Sequence, residues 1–295
     1  MPSVLVIGDV MTDIVVRADG PIAFGADRRA AIRLLPGGSG ANQAAWLAAE
    51  GADVVFAARV GRADREHQAT LLARYGVRPA LAADDERPTG TLVTLVSADG
   101  ERSFLTDRAA NENLTRADLP DTLLDGSGWV HVSGYAFFAE KPRAAVIDLL
   151  EEVRRRRILF SVDPASWSFL EEATAEQFLR WTQGAAILFA NEDEATVLSG
   201  SRDTQHQIGA LTKDYPLVAL KRGALGAVAA NAEGRRWSAS AKGVEVIDTS
   251  GAGDAFLGGF LAARLRGEGV EAALKRGVQL GTRAVTFLGG RPPVA

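Results

Sequence analysis

The chain has 295 residues, of which 47% are hydrophobic, and a formal net charge of −4. This composition is sufficient for a folded core, and the slight negative charge gives no general attraction to nucleic acids or anionic membranes. The absence of cysteine excludes disulfides and thiolate catalysis. No apolar run reaches the roughly 20 residues of a membrane span. We therefore expect a soluble, cytoplasmic protein.

Strand patterns of two kinds occur in the first 110 residues. Val4–Ile7 is a continuous apolar run ending at Gly8-Asp9, which is typical of a buried parallel strand. Residues 89–96 and 101–106 instead alternate polar and apolar side chains around Asp99-Gly100, which predicts a β-hairpin with one open face. Residues 14–16 and 32–35 are similar short strands. We interpret the insertions at about 12–36 and 88–108 as a small β lid.

From Trp129 onward, apolar strand patterns alternate with helical patterns. Repeated β-then-α units predict a mostly parallel sheet covered by helices on both faces, and no linker divides the chain. We expect one α/β domain over residues 1–295. The other predicted strands are 54–58, 129–133, 158–162, 186–189, 217–220 and 227–230. The predicted helices are 41–50, 64–75, 142–156, 178–183, 192–198, 204–212, 252–266 and 270–287.

Four segments rich in glycine or polar residues lie at or just beyond predicted strand ends. They are Gly8-Asp9, Gly37–Asn42, Asn191–Glu194 and Gly251–Asp254. Ligands of parallel α/β sheets bind at the carboxyl ends of the strands. The sequence therefore predicts that these segments converge on one site.

The segment Asp248–Phe256 is a glycine-rich turn between a β-like run, Val244–Ile247, and an apolar helical pattern. The unpaired N–H groups at such a helix start favour a phosphate or a developing oxyanion. Asp254 lies in the same first turn, where a carboxylate could take a proton from an attacking hydroxyl. The alternative is that Asp254 only caps the helix and the glycines only shape the turn.

Other polar residues offer weaker signals. Asp9 and Asp13 follow the first strand and could accept hydrogen bonds from sugar-type hydroxyls, although either could be a turn residue. Asn42 offers a donor and an acceptor that suit a vicinal diol. Asn191 and Glu194 either cap a helix or hold water around Mg²⁺, which binds few carboxylates directly.

Three motifs in this order resemble the ribokinase (PfkB) family of carbohydrate and nucleoside kinases. They are Gly-Gly-Ser-Gly-Ala-Asn-Gln-Ala at 37–44, Asn191-x-x-Glu194, and Asp-Thr-Ser-Gly-Ala-Gly-Asp at 248–254. Their order and spacing match along nearly the whole chain, from Gly8 to about Gly290. The resemblance implies a ribokinase-like α/β fold. It also implies transfer of the γ-phosphoryl group of ATP to a hydroxymethyl group, with Mg²⁺.

The resemblance also implies roles for individual residues. Asp254 is the expected base, and Gly251, Ala252 and Gly253 form the expected anion hole. Asp13, Gly38 and Asn42 are expected to bind the acceptor, beside Asp9, Met11, Ser39, Arg108 and Tyr135. The expected nucleotide-side residues are Asn191, Lys221, Gly223, Gly226 and Thr282. Asn191 and Glu194 would hold Mg²⁺ through water, and Asp248, Ser250, Thr286 and Gly289 are candidates for a monovalent cation such as K⁺.

The identity of the acceptor stays open. Met11 and Ser39 stand where ribose-using relatives often have a polar residue and a lysine, and residues 163–166 lack the arginine typical of ketodeoxygluconate and fructose kinases. Ribose and 2-keto-3-deoxygluconate are therefore both disfavoured. Arg108 hints at an anionic or hydroxyl-rich acceptor, unless it is a surface arginine. A nucleoside would fit Met11 and Tyr135 as apolar walls.

Two other classes of protein are weighed against a kinase. A non-catalytic sugar-binding regulator on the same fold is disfavoured by the intact Asp254 and its glycines. A nicotinamide-dependent dehydrogenase is disfavoured because Gly38-x-Gly40 is not preceded by a buried strand. The expected partners are ATP and a sugar or nucleoside, without nucleic acid or membrane. The open face of the lid predicts a homodimer.

Overall fold

The computed structural model describes residues 3–21, 25–96 and 102–293, so the predicted turn Asp99-Gly100 lies outside the described residues. The strands, in chain order, are β1 (Ser3–Ile7), β2 (Met11–Ala18), β3 (Ala30–Gly37), β4 (Val54–Gly61), β5 (Arg78–Asp84), β6 (Gly90–Val96), β7 (Arg102–Asp107), β8 (Ser127–Ser133), β9 (Leu159–Asp163), β10 (Ile187–Asn191), β11 (Leu217–Lys221), β12 (Ala227–Asn231) and β13 (Arg236–Ala239). The α-helices are α1 (Ser39–Ala49), α2 (Arg65–Ala73), α3 (Glu140–Arg155), α4 (Trp167–Ala173), α5 (Ala175–Trp181), α6 (Glu192–Ser199), α7 (Thr204–Leu211), α8 (Ala252–Leu265) and α9 (Val270–Ala284).

A nine-stranded sheet in the order β13-β12-β11-β10-β9-β8-β1-β4-β5 forms the centre of the described chain. The strands from β11 to β5 in this order are parallel, and β12 and β13 are antiparallel additions at one edge. All carboxyl ends of the parallel strands therefore lie at one edge of the sheet. This edge carries Asp9, Asp163, Asn191 and Lys221. Asp9 and Asn191 belong to the segments that the sequence predicted at strand ends.

Helices cover both faces of this sheet. Val4 and Val6 of β1 pack into a core with α1, α8 and α9, whereas Leu5 and Ile7 face a second core with α3 and neighbouring helices. Successive side chains of a strand point to opposite faces, which explains why an unbroken apolar run is needed when both faces are buried. The predicted α/β fold is confirmed.

Four strands form a second, smaller sheet in the order β3-β2-β6-β7. We call these strands the lid sheet. β2 pairs with β6 in parallel, while β2–β3 and β6–β7 are antiparallel. Both predicted insertions thus contribute to one sheet, and the two predicted arms of the hairpin pair as β6 and β7.

The first glycine-rich segment brings α1 close to the end of β1. A Cβ built on Gly40 would lie 2.6 Å from Cα of Gly8, so a side chain at residue 40 would collide with backbone. Asp9 Oδ1 accepts a 2.9 Å hydrogen bond from the N–H of Gly40 and holds this approach. The start of α1 is therefore fixed at the carboxyl edge of the main sheet.

Some elements differ from the prediction. Val244–Ile247 does not form a strand in the structure, and Val246 and Ile247 are exposed. A short run with three apolar residues forms a strand only where a neighbouring strand can pair with it. The sequence also gave no signal for β5, β13 or α4. β5 is an edge strand with the sequence RPALAAD, which contains a proline and lacks β-branched residues.

Candidate active site

A cavity of about 880 Å³ lies between the carboxyl edge of the main sheet and the lid sheet. Its size is within the usual range for a small-molecule site. Predicted site residues from every part of the chain line it. They are Asp9, Met11, Asp13, Gly38, Ser39, Asn42, Arg108, Tyr135, Asn191, Glu194, Lys221, Asp248, Ser250, Gly251, Gly253, Asp254 and Gly289.

Five predicted site residues do not line this cavity: Ala252, Gly223, Gly226, Thr282 and Thr286. Gly223 and Gly226 belong to the turn between β11 and β12, beyond the lining residue Lys221. Thr282 lies on α9, which packs along α8 rather than along the cavity. The Thr286 hydroxyl donates to the carbonyl of Arg283 at 2.8 Å, which closes the end of the same helix.

Asp254 lies in the first turn of α8, and its carboxylate accepts three hydrogen bonds. Ser39 Oγ donates to Oδ1 at 2.7 Å, Gln43 Nε2 donates to Oδ1 at 3.1 Å, and Asn42 Nδ2 donates to Oδ2 at 3.1 Å. Burial raises the pKa of Asp254 to about 7, although the hydrogen bond from Ser39 opposes that shift. Burial thus makes this carboxylate a stronger base than an exposed aspartate.

The start of α8 presents backbone N–H groups beside this carboxylate. Gly251 precedes the helix with φ 74°, and a Cβ there would lie 2.5 Å from Cα of Gly290. Only glycine fits both the left-handed backbone and this close approach. The first N–H groups of a helix lack intrahelical acceptors and favour anions. The turn is therefore suited to hold a phosphoryl group next to Asp254.

A second carboxylate, that of the half-buried Asp13, lies on the lid side of the cavity. Burial and the neighbouring Asp9 raise the pKa of Asp13 to about 7. Its Oδ1 is buried and has no hydrogen-bond partner among the described residues. Asp13 itself lines the cavity, and an unpaired acceptor on such a residue is suited to receive a ligand hydroxyl, because leaving the atom unpaired is costly.

Arg108 and Tyr135 line the cavity beside Asp9. Arg108 Nη2 lies 3.0 Å from Asp9 Oδ2, and its guanidinium lies 3.9 Å from the ring centroid of Tyr135. Burial raises the pKa of Tyr135 to about 12. Arg108 therefore lines the cavity, and Asp9 balances its charge.

Lys221 and Asp163 form a buried ion pair at the other end of the cavity, where Lys221 Nζ lies 2.7 Å from Asp163 Oδ2. Burial opposes the charge of Lys221, yet Asp163 and Glu194 outweigh it and raise the pKa of Lys221 above its ordinary value. The ammonium group also lies 3.3 Å from the Cβ position of Gly253. A cation thus stands beside the helix start that is suited to phosphate.

Asn191 and Glu194 cap α6 reciprocally. Asn191 Oδ1 accepts from the N–H of Glu194, and Glu194 Oε2 accepts from the N–H of Asn191, both at 2.8 Å. Burial raises the pKa of Glu194 to about 7. Across residues 3–21, 25–96 and 102–293, no group of three or more His, Cys, Asp or Glu side chains could hold a metal ion. Mg²⁺ that is coordinated mainly by phosphate and water would still fit beside these oxygens.

Asp248 joins two loops at the cavity rim. Its Oδ1 accepts from the N–H of Ser250 at 2.8 Å, and its Oδ2 accepts from the N–H of Gly289 at 3.0 Å. The three candidates for a monovalent cation that line the cavity are therefore neighbours. Thr286 is the exception, since its hydroxyl is bonded within its own turn.

Sequence reasoning missed several residues of the site. Gln43 is part of the first motif, but no role was predicted for it. A glutamine within an otherwise apolar helix could have indicated a buried polar contact such as its hydrogen bond to Asp254. Arg291 is buried, donates to the carbonyl of Gly37 at 3.0 Å and approaches Asn42 Oδ1 at 3.4 Å. Asp163 was noted only as the start of the segment 163–166, which lacks an arginine, and its ion pair with Lys221 was not predicted. None of these three belongs to a local pattern that specifies its tertiary partner.

The fold and the cavity together define a small-molecule kinase, and comparisons with known proteins agree. The chain matches the pfkB family carbohydrate kinase over residues 1–294. It is 30% identical to a fructokinase of Salmonella typhimurium over 88% of this chain and 83% of that one. It is also 30% identical to an aminoimidazole riboside kinase of the same species, over 88% and 80%. The structure of a putative ribokinase II from E. coli in complex with ATP and Mg²⁺ aligns with TM-score 0.89 and 22% identity, over 100% and 96% of the two chains.

The chain therefore belongs to the pfkB family of carbohydrate kinases. The predicted family, the ribokinase-like fold and the predicted class of enzyme, an ATP-dependent kinase of a sugar or nucleoside, are confirmed. No helix among the described residues is long and apolar enough to cross a membrane.

Proposed function

We propose that this kinase phosphorylates a hydroxymethyl group of a sugar or sugar-like acceptor, with Asp254 as the base. The observation that carries the proposal is the position of the Asp254 carboxylate. It lies at the start of α8 and, through Ser39 and Asn42, is hydrogen-bonded to the first glycine-rich segment. A base between an anion-binding helix start and a hydroxyl-binding wall is the arrangement that phosphoryl transfer requires.

The proposed reaction has one proton transfer and one displacement. The acceptor hydroxyl gives its proton to Asp254 while its oxygen bonds to the γ-phosphorus of ATP, and the bond to the leaving β-phosphate oxygen breaks. The N–H groups of Gly251, Ala252 and Gly253 would stabilise the negative charge on the moving phosphoryl group. The lid sheet would limit the access of water, which competes as an acceptor.

The nucleotide side of the cavity fits a magnesium nucleotide. Lys221 supplies a cation beside the helix start, and Asn191 and Glu194 supply oxygens for a hydrated ion. When bound, Mg²⁺ neutralises charge on the β- and γ-phosphates. Gly223, Gly226 and Thr282 lie outside the cavity lining, so we propose at most an indirect role for them.

For the acceptor we propose a hydroxyl-rich sugar, held by Asp13 and Asn42. The unpaired Oδ1 of Asp13 supports this choice, because it offers an acceptor to a sugar hydroxyl. A nucleoside is the second candidate, supported by an aromatic wall at the cavity. The rings of Tyr135 and Phe169 both line it, with centroids 5.8 Å apart.

The test combines a substrate panel with one substitution. ATP consumption is measured over neutral sugars, sugar acids and nucleosides, and the best acceptor is then used with Asp254→Asn. We expect the variant to bind ATP like the wild type in calorimetry but to lose about 10²–10⁴-fold in kcat, the usual contribution of a general base. Undiminished turnover would remove the assignment of Asp254. If no acceptor supports consumption of ATP, the result would favour a non-catalytic sugar-binding regulator on this fold.

Two finer features are also proposed. We propose that Asp248, Ser250 and Gly289 border a site for a monovalent cation, and that K⁺ raises kcat relative to Na⁺ at equal ionic strength. Equal rates in the two salts would contradict this. We also place the enzyme in the cytoplasm, where ATP is available.

We further propose a homodimer through the outer face of the lid sheet. Arg33 lines the cavity, so Ile32 and Leu34 point to the opposite face, where they are 62% and 70% exposed. Leu105 of β7 is 61% exposed. A second copy would bury this apolar face. Light scattering should give twice the chain mass for the wild type and less for Leu34→Asp. A monomeric wild type would contradict the dimer.

A further inference from the structure

A chain of buried polar side chains runs from the centre of the main sheet to Asp254. Trp129 Nε1 donates to Ser161 Oγ at 2.9 Å. Ser161 Oγ lies 2.9 Å from His131 Nδ1, and His131 Nε2 lies 3.0 Å from Gln43 Oε1. Gln43 then contacts Asp254. Ser161, His131 and Gln43 are completely buried in an otherwise apolar interior, so these groups depend on each other for hydrogen bonds.

The ionised carboxylate of Asp254 sets the direction of these bonds. A carboxylate only accepts, so the amide nitrogen of Gln43 faces Asp254 Oδ1, at 3.1 Å, and also Ser39 Oγ, at 2.9 Å. Gln43 Oε1 is therefore left as an acceptor, so His131 carries its proton on Nε2 and donates to it. The unprotonated Nδ1 of His131 accepts from Ser161 Oγ, which in turn accepts from Trp129 Nε1.

The same logic distinguishes the two oxygens of Asp254. Ser39 Oγ accepts from Gln43, so its proton goes to Oδ1, which thus receives two donors. Among the residues that the structure describes, Asn42 Nδ2 is the single hydrogen-bond donor to Oδ2. A carboxylate oxygen has two lone pairs, which leaves Oδ2 as the oxygen that can take a proton.

We propose that His131 and Gln43 are positioning residues, which orient the Asp254 carboxylate so that Oδ2 receives the proton of the acceptor. This inference rests on the proposed role of Asp254 as the base. Burial lowers the pKa of His131 to about 4, so the imidazole is neutral and keeps one tautomer near neutral pH. The charged or titratable groups that act on Asp254 from other elements are Asp163, Lys221 and Tyr135. None of them belongs to the hydrogen-bonded series that runs from Trp129 to Asp254.

Kinetics tests the role with paired variants. His131→Met removes both ring nitrogens at similar size, whereas His131→Gln keeps a donor for Gln43. We expect His131→Met to lose about 10-fold to 100-fold in kcat with an unchanged KM for ATP. Without His131 to hold it, Gln43 loses its hydrogen bond to the carboxylate of Asp254, and a hydrogen bond to a charged group has an effect of this size. His131→Gln should stay within about threefold of the wild type, because its amide can replace Nε2–H.

The control is Thr182→Val, which removes a buried hydrogen bond to Tyr215, 2.6 Å long and unconnected to Asp254. This variant should lower stability but keep kcat. If His131→Met lowers stability and leaves kcat unchanged, as the control does, the positioning role is wrong, even where Asp254→Asn is inactive. An active Asp254→Asn enzyme would instead remove the base on which the role depends.

The tautomer provides a test that is independent of catalysis and of any substitution. The chain has only three histidines, so selective ¹⁵N labelling gives three resolvable imidazoles. We expect one of them to carry its proton on Nε2 and to keep its shifts between about pH 5 and about pH 8, where ordinary histidines titrate. A His131 ring protonated on Nδ1, or one that titrates in this range, would overturn the proposal.

Discussion

The hydroxyl of Ser39 donates a 2.7 Å hydrogen bond to Oδ1 of Asp254, a residue 215 positions further along the chain. The bond joins the start of α1 to the start of α8, so it links the two glycine-rich segments that sequence analysis singled out. Close packing of α1 against α8 makes the contact possible. The wall that would bind the acceptor and the turn that would bind phosphate are therefore positioned relative to each other by the base itself.

Ser39→Ala should change the pH dependence of the enzyme. The hydrogen bond from Ser39 lowers the pKa of Asp254, so its loss should raise that pKa further. Because a base must be ionised, the acidic limb of kcat against pH should move to higher pH by about one unit. Well above this limb, kcat should be close to that of the wild type. Ser199→Ala, which removes a bond to the carbonyl of Ala195, is the control and should not move the limb. An unshifted limb in Ser39→Ala would contradict the prediction.

Asp13→Ala should weaken acceptor binding selectively. The substitution removes the carboxylate of a residue that lines the cavity, including its unpaired Oδ1. We expect the KM for the acceptor to rise by about 10-fold to 100-fold, the range for a lost hydrogen bond to a charged group, with little change in the KM for ATP. Asp19→Ala, at an exposed position after β2, serves as the control. Equal effects on both substrates would show that Asp13 does not contact the acceptor.

Gly253→Ala should separate folding from phosphate binding. A Cβ at Gly253 would lie 3.3 Å from Lys221 Nζ, at the helix start where the phosphoryl group is expected, but Lys221 can shift. Alanine favours a helix by about 1 kcal/mol over glycine, so the variant should fold. We expect kcat to fall at least about 10-fold, since anion-hole contacts contribute that much or more. Gly209→Ala, with open space around its Cβ, should keep full activity.

The sequence predicted those parts of the site that a local motif encodes. Glycine-rich turns at helix starts position Ser39, Asn42 and Asp254, and turns of this kind have a recognisable pattern. The pairing of His131 with Gln43 and that of Lys221 with Asp163 were not predicted, because the partners are 88 and 58 residues apart in the sequence. A single sequence does not record which distant polar groups satisfy each other in a core. Their pairing becomes visible only when the strand order is known.

The strands show the same division. Both insertions alternate polar and apolar residues because one face of the lid sheet is open, and this period was sufficient to place β2, β3, β6 and β7 in one lid. The segment Val244–Ile247 has an apolar composition but does not form a strand, and there the prediction was wrong. Composition specifies burial or exposure of a segment, whereas pairing depends on what lies beside it.

Asp13→Asn should become more stable relative to the wild type as the pH rises. The pKa of Asp13 is raised from 3.8 to about 7, mainly by burial. Between these values the folded protein holds a proton that the unfolded chain has released. The stabilising contribution of Asp13 is therefore complete below 3.8 and is lost as the pH approaches 7.

From this group, the free energy of unfolding of the wild type should fall by about 1.4 kcal/mol for each pH unit in that window. Asparagine does not titrate, and Asp254 and Glu194 are the same in both proteins, so the difference between them isolates Asp13. Urea denaturation of both proteins without ligand, at about pH 5 and about pH 8, measures it. We expect the variant to gain about 1 to 3 kcal/mol on the wild type between the two conditions. A difference that is independent of pH would mean that Asp13 is ionised throughout, and hence that a cation or water balances the carboxylate.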